Sequence, residues 1–182
     1  MNLRGQTILP AIRKIRDIEL MVKHDYEYAV LLDVHLGQVS AILKWMQREG
    51  KHVLLHADLI QGLKNDVYAA EFLCQQFQPA GIISTRADTL ITAKKHKILA
   101  IQRIFLLDTI ALETSYNLAR KVIPDFIEVL PGVIPHLIQE VKQETGKPVI
   151  AGGLIKTTED VRRALEAGAE AITTSHKSLW AL

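Results

Sequence analysis

Several features that identify other classes of protein are scarce in this sequence of 182 residues. It has one cysteine, Cys74, so it cannot form an intramolecular disulfide, and we expect a reducing, cytoplasmic setting. Glycine and proline number only 10 and 6, which excludes collagen-like repetition and argues against disorder. No uncharged apolar stretch approaches the ~20 residues of a membrane helix, and the first residues lack the apolar centre of a secretory signal. We therefore expect a soluble protein without a membrane partner.

Charge and aromatic content are also modest. The 22 basic and 20 acidic residues leave a net charge of +2, which permits a phosphate or nucleic-acid partner without demanding one. Aromatic residues make up 5% of the chain and offer little surface for base stacking. Hydrophobic residues reach 48%, enough at this length to bury a full core in one domain. We predict that this single domain spans residues 1–182.

Short apolar runs rich in β-branched residues alternate with amphipathic stretches along the chain. Eight such runs occupy residues 8–12, 28–34, 52–58, 81–86, 98–105, 125–132, 148–153 and 169–175. Their centres recur about every 23 residues, the length of one strand, one helix and two short loops. Eight such units can close into a compact α/β barrel, a (β/α)8 barrel of the TIM type, which we predict as the fold. A doubly wound open sheet is the alternative, but it would carry a phosphate-binding loop after its first strand.

The last two predicted strands end in residues suited to an anion. Gly152 and Gly153 follow the seventh run, and Thr174 and Ser175 end the eighth. Glycines let backbone N–H groups approach a phosphate, hydroxyls donate to it, and a short helix opening near His176 would add its dipole. These four residues are therefore predicted to bind phosphate, the alternative being that the glycines only form tight turns.

Polar residues at the ends of four other predicted strands would surround the same mouth: Asp33, His56, Arg103 and Glu128. Their donors and acceptors suit the hydroxyls of a small polyol phosphate. The same carboxylates and imidazole could act as acid and base, so an isomerase or aldolase acting on a phosphorylated sugar is the alternative. No lysine ends a predicted strand, as a Schiff-base mechanism would require, and no loop is long enough to exclude water. We predict no metal site, because His52 and His56 would lie ~13 Å apart along a strand.

Basic residues near the ends of several predicted helices would lie at the end of the barrel opposite the mouth. The predicted cationic face comprises Arg48, Lys51, Lys94, Lys95, Lys97, Arg120 and Lys121. Such a face can bind RNA phosphates through counterion release. Interactions with helix dipoles explain the same placement without RNA, and charge alone favours that explanation.

Seven segments of the chain carry a resemblance to a known family. They are ILPAIR (8–13), HADLIQGLK (56–64), PAGIISTR (79–86), AIQRIFLLD (100–108), IEVLPG (127–132), AGGLI (151–155) and AITTS (171–175). Glycine and hydroxyl stretches recur in many phosphate-binding barrels, whereas HADLIQGLK, PAGIISTR and AIQRIFLLD in this order are specific. Together the segments resemble the glycerol-3-phosphate-responsive antiterminators of the glycerol uptake operon in Gram-positive bacteria.

The resemblance implies a regulator without catalytic residues or cofactors, for which glycerol 3-phosphate is an effector. It implies that the liganded protein binds the leader mRNA of glycerol-utilisation genes, so that transcription passes a terminator. We expect ligand binding to favour an RNA-binding state, with a homodimer as one form of that state. Action through a protein partner is a third alternative, and the sequence does not distinguish glycerol 3-phosphate from similar small phosphate esters.

Overall fold

The computed structural model describes residues 3–181 and contains a closed barrel of eight parallel strands. The strands are β1 (Ile8–Ile12), β2 (Tyr28–Leu31), β3 (His52–His56), β4 (Gly81–Ser84), β5 (Leu99–Phe105), β6 (Phe126–Leu130), β7 (Val149–Gly152) and β8 (Ala169–Thr174). Each strand pairs with the next along the chain, and β8 closes the barrel against β1 with Leu9 opposite Thr173. The predicted (β/α)8 barrel is confirmed. Residues 1, 2 and 182 of the predicted single domain lie outside the described residues.

Helices connect the strands on the outside of the barrel. They are α1 (Ile15–Met21), α2 (Leu36–Arg48), α3 (Val67–Phe72), α4 (Ala87–Lys95), α5 (Thr109–Val122), α6 (Pro135–Thr145) and α7 (Thr158–Glu166). A π-helical turn, Leu73–Phe77, extends α3, and a 3₁₀ turn, Lys177–Ala181, follows β8. None of the described helices is both long enough and apolar enough to cross a membrane.

The apolar residues form two layers, because alternate residues of a strand face opposite sides of the sheet. The interior of the barrel includes Leu54, Ile101, Phe126 and Ala171, while a second layer fills the space between sheet and helices. Burial on both faces is typical of parallel sheets and explains the continuous apolar runs in the sequence.

The same alternation places polar side chains at one end of the barrel interior. Two residues beyond Leu54, Ile101, Phe126 and Ala171, the inward positions are His56, Arg103, Glu128 and Thr173. All four lie towards the carboxyl ends of their strands, where barrels of this type carry their functional groups.

Several apolar runs are longer than the strands they contain. The second run extends to residue 34, whereas β2 ends at Leu31. Leu32 and Val34 are nevertheless buried, at 7% and 5% exposure, because Leu32 packs with the interior layer and Val34 with the outer one. Burial, and not strand pairing, therefore sets the length of this run.

Candidate functional site

A cavity of about 230 Å³, here called the mouth cavity, opens at the end of the barrel where the strands finish. Its wall comes from the ends of β1, β2, β5, β6 and β8 and from loop seven, residues 153–157, which joins β7 to α7. Its polar side chains include Arg13, Arg103, Glu128, Lys156, Ser175 and His176. Because the cavity is smaller than the ~300–1,000 Å³ typical of sites for drug-sized ligands, it suits a molecule of few atoms.

A buried ion pair forms the floor of the mouth cavity. Arg103 Nε donates to Glu128 Oε2 at 2.7 Å, and the side chains are 10% and 1% exposed. Thr173 Oγ1 donates to the other carboxylate oxygen, Glu128 Oε1, at 2.9 Å. Three strands, β5, β6 and β8, thus converge on one carboxylate. Removing one partner of such a buried pair commonly costs about 3–5 kcal/mol, because the other charge is left buried and unpaired.

Gly152 packs against Thr173 and Glu128 in this floor. A Cβ atom at Gly152 would overlap Thr173 Oγ1 and would lie 3.2 Å from Glu128 Oε1. Gly152 also accepts a hydrogen bond through its carbonyl oxygen from the Gly132 N–H at 2.5 Å. The glycine therefore leaves the space in which the Thr173 hydroxyl meets Glu128, a role that sequence reasoning missed.

His56 lies close to the floor but has no hydrogen-bond partner for either ring nitrogen among the described residues. Its side chain is buried, at 3% exposure. Burial lowers the pKa of His56 to about 4, and the charge of Arg103 acts in the same direction, against Glu128 and Asp58. The imidazole is therefore neutral near pH 7, and the charges of Arg103 and Glu128 balance one another.

The rim of the mouth cavity is cationic. Arg13, directly after β1, lies 3.2 Å from Asp33 in an exposed ion pair. Lys156 lies in loop seven, and within the described part of the chain its ammonium group has no carboxylate partner. The backbone N–H groups of Lys156 and Thr157 donate to Asp160 Oδ2 at 3.0 and 2.9 Å. Asp160 thus anchors the segment that carries the Lys156 cation.

Loops seven and eight, the latter comprising residues 175–176, are tied together by Thr174. Its hydroxyl donates to the Ile155 carbonyl oxygen at 3.1 Å and accepts from the His176 N–H at 3.1 Å. The predicted helix near His176 is a 3₁₀ turn beginning at Lys177, and the His176 N–H already has this acceptor. The short helix therefore begins one residue later than expected, and its contribution to an anion site stays a prediction.

The structure brings five of the eight predicted ligand-binding residues into one wall. Arg103, Glu128, Gly153, Thr174 and Ser175 line the mouth cavity. The other three, Gly152, Asp33 and His56, lie outside that wall. Ligand binding by these residues stays a prediction.

Two rim cations, Arg13 and Lys156, were missed by the sequence analysis. Each lies in the segment that follows a strand, and this position was the signal that could have identified them. The predicted anion site rested on glycines and hydroxyls and did not include the cations in the same segments. Within the described residues no group of three His, Cys, Asp or Glu side chains could hold a metal ion.

A larger cavity of about 470 Å³ lies at the other end of the barrel, beside the first and last described residues. Leu3, Gln6, Tyr26, Glu27 and Trp180 are among its lining residues. It contains none of the strand ends that form the mouth, and we therefore place the candidate site at the mouth cavity.

The cations predicted at that other end fall into two groups. Lys51 donates to the His24 carbonyl oxygen and Lys94 to that of Ile123, while Arg120 lies 3.7 Å from Glu144. These three stabilise neighbouring chain ends or pair with acids, as the dipole explanation expects. The other four, Arg48, Lys95, Lys97 and Lys121, have no such partner within residues 3–181.

The chain is thus a closed βα barrel of the TIM type, with a small, cation-rimmed cavity at the ends of its strands. The chain belongs to the glycerol-3-phosphate responsive antiterminator family, whose model matches residues 8–180. The family recognised from the sequence segments is therefore confirmed.

Three relatives illustrate the similarity. The crystal structure of the glycerol uptake operon antiterminator regulatory protein from Listeria monocytogenes str. 4b F2365 is 49% identical, with a TM-score of 0.94 over 97% of this chain and 95% of that one. A glycerol uptake operon antiterminator-related protein from Thermotoga maritima MSB8 is 29% identical, with a TM-score of 0.85 over 97% and 99%. The uncharacterized protein YgcP from Escherichia coli (strain K12) is 31% identical over 99% of this chain and 94% of its own. An aldolase at 16% identity shares the fold alone.

Proposed function

We propose that this protein is a glycerol-3-phosphate-responsive antiterminator, which binds its effector in the mouth cavity and then binds the leader mRNA of glycerol-utilisation genes. The observation that carries the ligand half of the proposal is the pairing of a cationic rim with a hydrogen-bonding floor in one small cavity. Membership of the family supports the regulatory half.

The phosphate group belongs at the rim. A phosphate monoester carries about −1.5 to −2 charges at pH 7. The ammonium group of Lys156 is positively charged and pairs with no carboxylate among the described residues. Arg13 adds a second cation, which it shares with Asp33. The exposed Ser175 hydroxyl and the backbone at Gly153 supply donors in the same wall.

The glycerol hydroxyls then face the floor, where Arg103 donates and Glu128 accepts. With the phosphate held at loops seven and eight, the ligand would bridge these loops to β5 and β6. A ligand that makes contacts only when both loops are in place stabilises that arrangement of the mouth.

RNA binding is assigned to the four unpartnered cations at the opposite end of the barrel. Lys95 ends α4, Lys97 follows it, and Lys121 lies in the last turn of the neighbouring α5, so these three cations belong to one surface. Phosphate contacts from such residues would add affinity by releasing counterions. Lys51, Lys94 and Arg120 contribute less, because each already has a partner.

Turnover of a phosphorylated sugar has less support. None of the eight described strands ends in lysine.

The Ser175→Asp variant tests the ligand site. A carboxylate at the rim would repel the phosphate, and we expect glycerol 3-phosphate affinity to fall at least about 10-fold in isothermal titration calorimetry at fixed salt. Ser178→Asp, in the exposed turn outside the cavity wall, is the matched control and should bind as the wild type does. Retained affinity in Ser175→Asp would remove the mouth cavity from the proposal. Turnover of a sugar phosphate by the wild type would favour the enzyme instead.

A further inference from the structure

The floor of the mouth cavity has unused acceptors on a carboxylate that is almost fully buried. An ionised carboxylate has about four acceptor positions and no donor. Glu128 uses one on each oxygen, for Thr173 and for Arg103. One position on each oxygen is therefore free, and its side chain is only 1% exposed. A molecule inside the cavity that carries two hydrogen-bond donors can occupy both positions.

Arg103, beside Glu128, has hydrogen-bond donors that lack acceptors. Its Nε donates to Glu128, and within the described residues its terminal nitrogens donate to no protein acceptor. Arg103 also lines the cavity. A group that only donates and a group that only accepts thus lie side by side on one floor.

The chemical group that satisfies both is a hydroxyl, which accepts from Arg103 and donates to Glu128 at the same time. A carbonyl oxygen can only accept, so it cannot form a hydrogen bond with the Glu128 carboxylate, which also only accepts. Two vicinal hydroxyls match the two free positions on the carboxylate, one for each oxygen.

We propose that Glu128 determines specificity at the ligand's central carbon. It selects the vicinal diol of glycerol 3-phosphate over the keto analogue, dihydroxyacetone phosphate. This inference rests on the proposed function and names the specificity-determining residue of the same site. The ketone keeps one hydroxyl donor and loses the other, so one acceptor position of Glu128 stays empty on a side chain that is only 1% exposed. Sites that hydrogen-bond a hydroxyl discriminate strongly against analogues that lack it, because the buried acceptor is left unpaired.

Thr173 and Gly152 support the carboxylate without making the selection themselves. The Thr173 hydroxyl donates to Oε1 and leaves its other acceptor position free. Gly152 makes room for that hydroxyl, since any side chain there would displace it.

The test measures affinities of the full chain for three probes: glycerol 3-phosphate, dihydroxyacetone phosphate and 3-hydroxypropyl phosphate, which has no central oxygen. We expect the wild type to bind glycerol 3-phosphate at least about 10-fold more tightly than either analogue. Equal affinity for the diol and the ketone would overturn the selection while leaving the proposed ligand in place. Absence of glycerol 3-phosphate binding would instead overturn the proposed function, and the selection with it.

Glu128→Gln assigns the selection to its residue. The amide keeps the shape of the side chain but replaces an acceptor by a donor, so the preference for the diol should fall to within about 3-fold. Thr173→Val disturbs the same buried network yet keeps the carboxylate, and it should retain the preference even if its affinity is lower. A Glu128→Gln variant that keeps the full preference would overturn the role of this residue. If Glu128→Gln does not fold, the ratio of the affinities for glycerol 3-phosphate and dihydroxyacetone phosphate in the wild type and in Thr173→Val still tests the proposal. A Thr173→Val variant without the preference would contradict it.

Discussion

At the scale of single residues, His56 shows how the floor of the barrel remains polar without an extra charge. Its ring is buried next to Arg103 and Glu128, and neither nitrogen has a partner among the described residues. A protonated ring there would be buried near the positively charged Arg103 guanidinium. Burial, with that nearby positive charge, therefore lowers the pKa of His56 to about 4.

The lowered pKa of His56 makes stability depend on pH. The unfolded chain binds a proton near pH 6.5, whereas the folded chain does so only near pH 4. As the pH falls through this window, the unfolded state gains protons first, and the free energy of unfolding should fall by up to about 3 kcal/mol. Urea unfolding at about pH 7, 5.5 and 4.5 measures this loss.

His56→Gln removes the titrating ring and should flatten the dependence in that window. His96→Gln changes an exposed histidine after α4 and serves as the control, with the wild-type dependence expected. Parallel losses in the wild type and His56→Gln would contradict this account of His56.

The sequence located these residues better than it explained them. Position near a strand end singled out Arg103 and Glu128, and the structure places both in the wall of the mouth cavity. It could not show that they pair with one another, because pairing depends on which strands lie side by side and at what register. Gly152 was attributed to phosphate binding from its residue type, whereas its neighbour Thr173 explains the need for glycine.

At the scale of elements, hydrogen bonds between loop seven and the first turn of α7 hold Lys156 in the cavity wall. Thr157 accepts from the Asp160 N–H at 3.1 Å, and Asp160 accepts from the Thr157 N–H at 2.9 Å, a reciprocal cap at the start of α7. The backbone N–H of Lys156 joins the same carboxylate, and these hydrogen bonds lower the pKa of Asp160. One acid thus starts the helix and fixes the loop before it.

Asp160→Ala should therefore affect stability and ligand binding together. Loss of a cap costs about 1 kcal/mol, or ~2–4 °C in Tm for a chain of this size. Because the Lys156 backbone is released as well, glycerol 3-phosphate affinity should fall a few-fold. Thermal unfolding and calorimetry measure the two effects.

The matched control is Asp108→Ala. Asp108 caps α5 through the Ala111 N–H at 2.8 Å and lies outside the cavity wall, so its loss should lower Tm similarly and leave affinity unchanged. Equal affinity in the two variants would mean that loop seven does not hold the ligand.

The strands were the part of the fold that could be predicted most fully from the sequence. All eight apolar runs contain a strand, because a two-faced parallel sheet makes each run continuously hydrophobic. The ends of the runs were less predictable. His56 ends β3, and Asp58 falls in a 3₁₀ turn, where Ser84 and Thr85 hold its carboxylate. Such contacts between loops depend on strand order and are invisible to local periodicity.

At the scale of the whole molecule, the two ends of the barrel have different chemistry. The mouth holds a small cavity with paired and unpaired charges, and the opposite end holds lysines at helix ends. A net charge of +2 is too small to bind RNA without local clustering, so the positions of the cations matter more than their number. A homodimer stays a prediction.

Ligand and RNA would then bind at opposite ends and influence each other through the barrel. Such coupling requires that glycerol 3-phosphate bind the RNA-competent state more tightly, and by linkage RNA must raise ligand affinity by the same factor. Coupling free energies of about 1–3 kcal/mol are typical and correspond to roughly 5–150-fold in affinity.

The measurement that tests the central claim most directly is a titration of the protein against the leader mRNA of a glycerol-utilisation gene, with and without glycerol 3-phosphate, at one fixed salt concentration. The account predicts that the ligand tightens binding to the leader at least about 5-fold and leaves binding to an unrelated RNA unchanged. It also predicts weaker leader binding and a smaller salt slope when Lys95, Lys97 and Lys121 are replaced together by alanine. Leader binding that is no tighter with ligand than without it, from a folded protein that binds glycerol 3-phosphate, would contradict the claim.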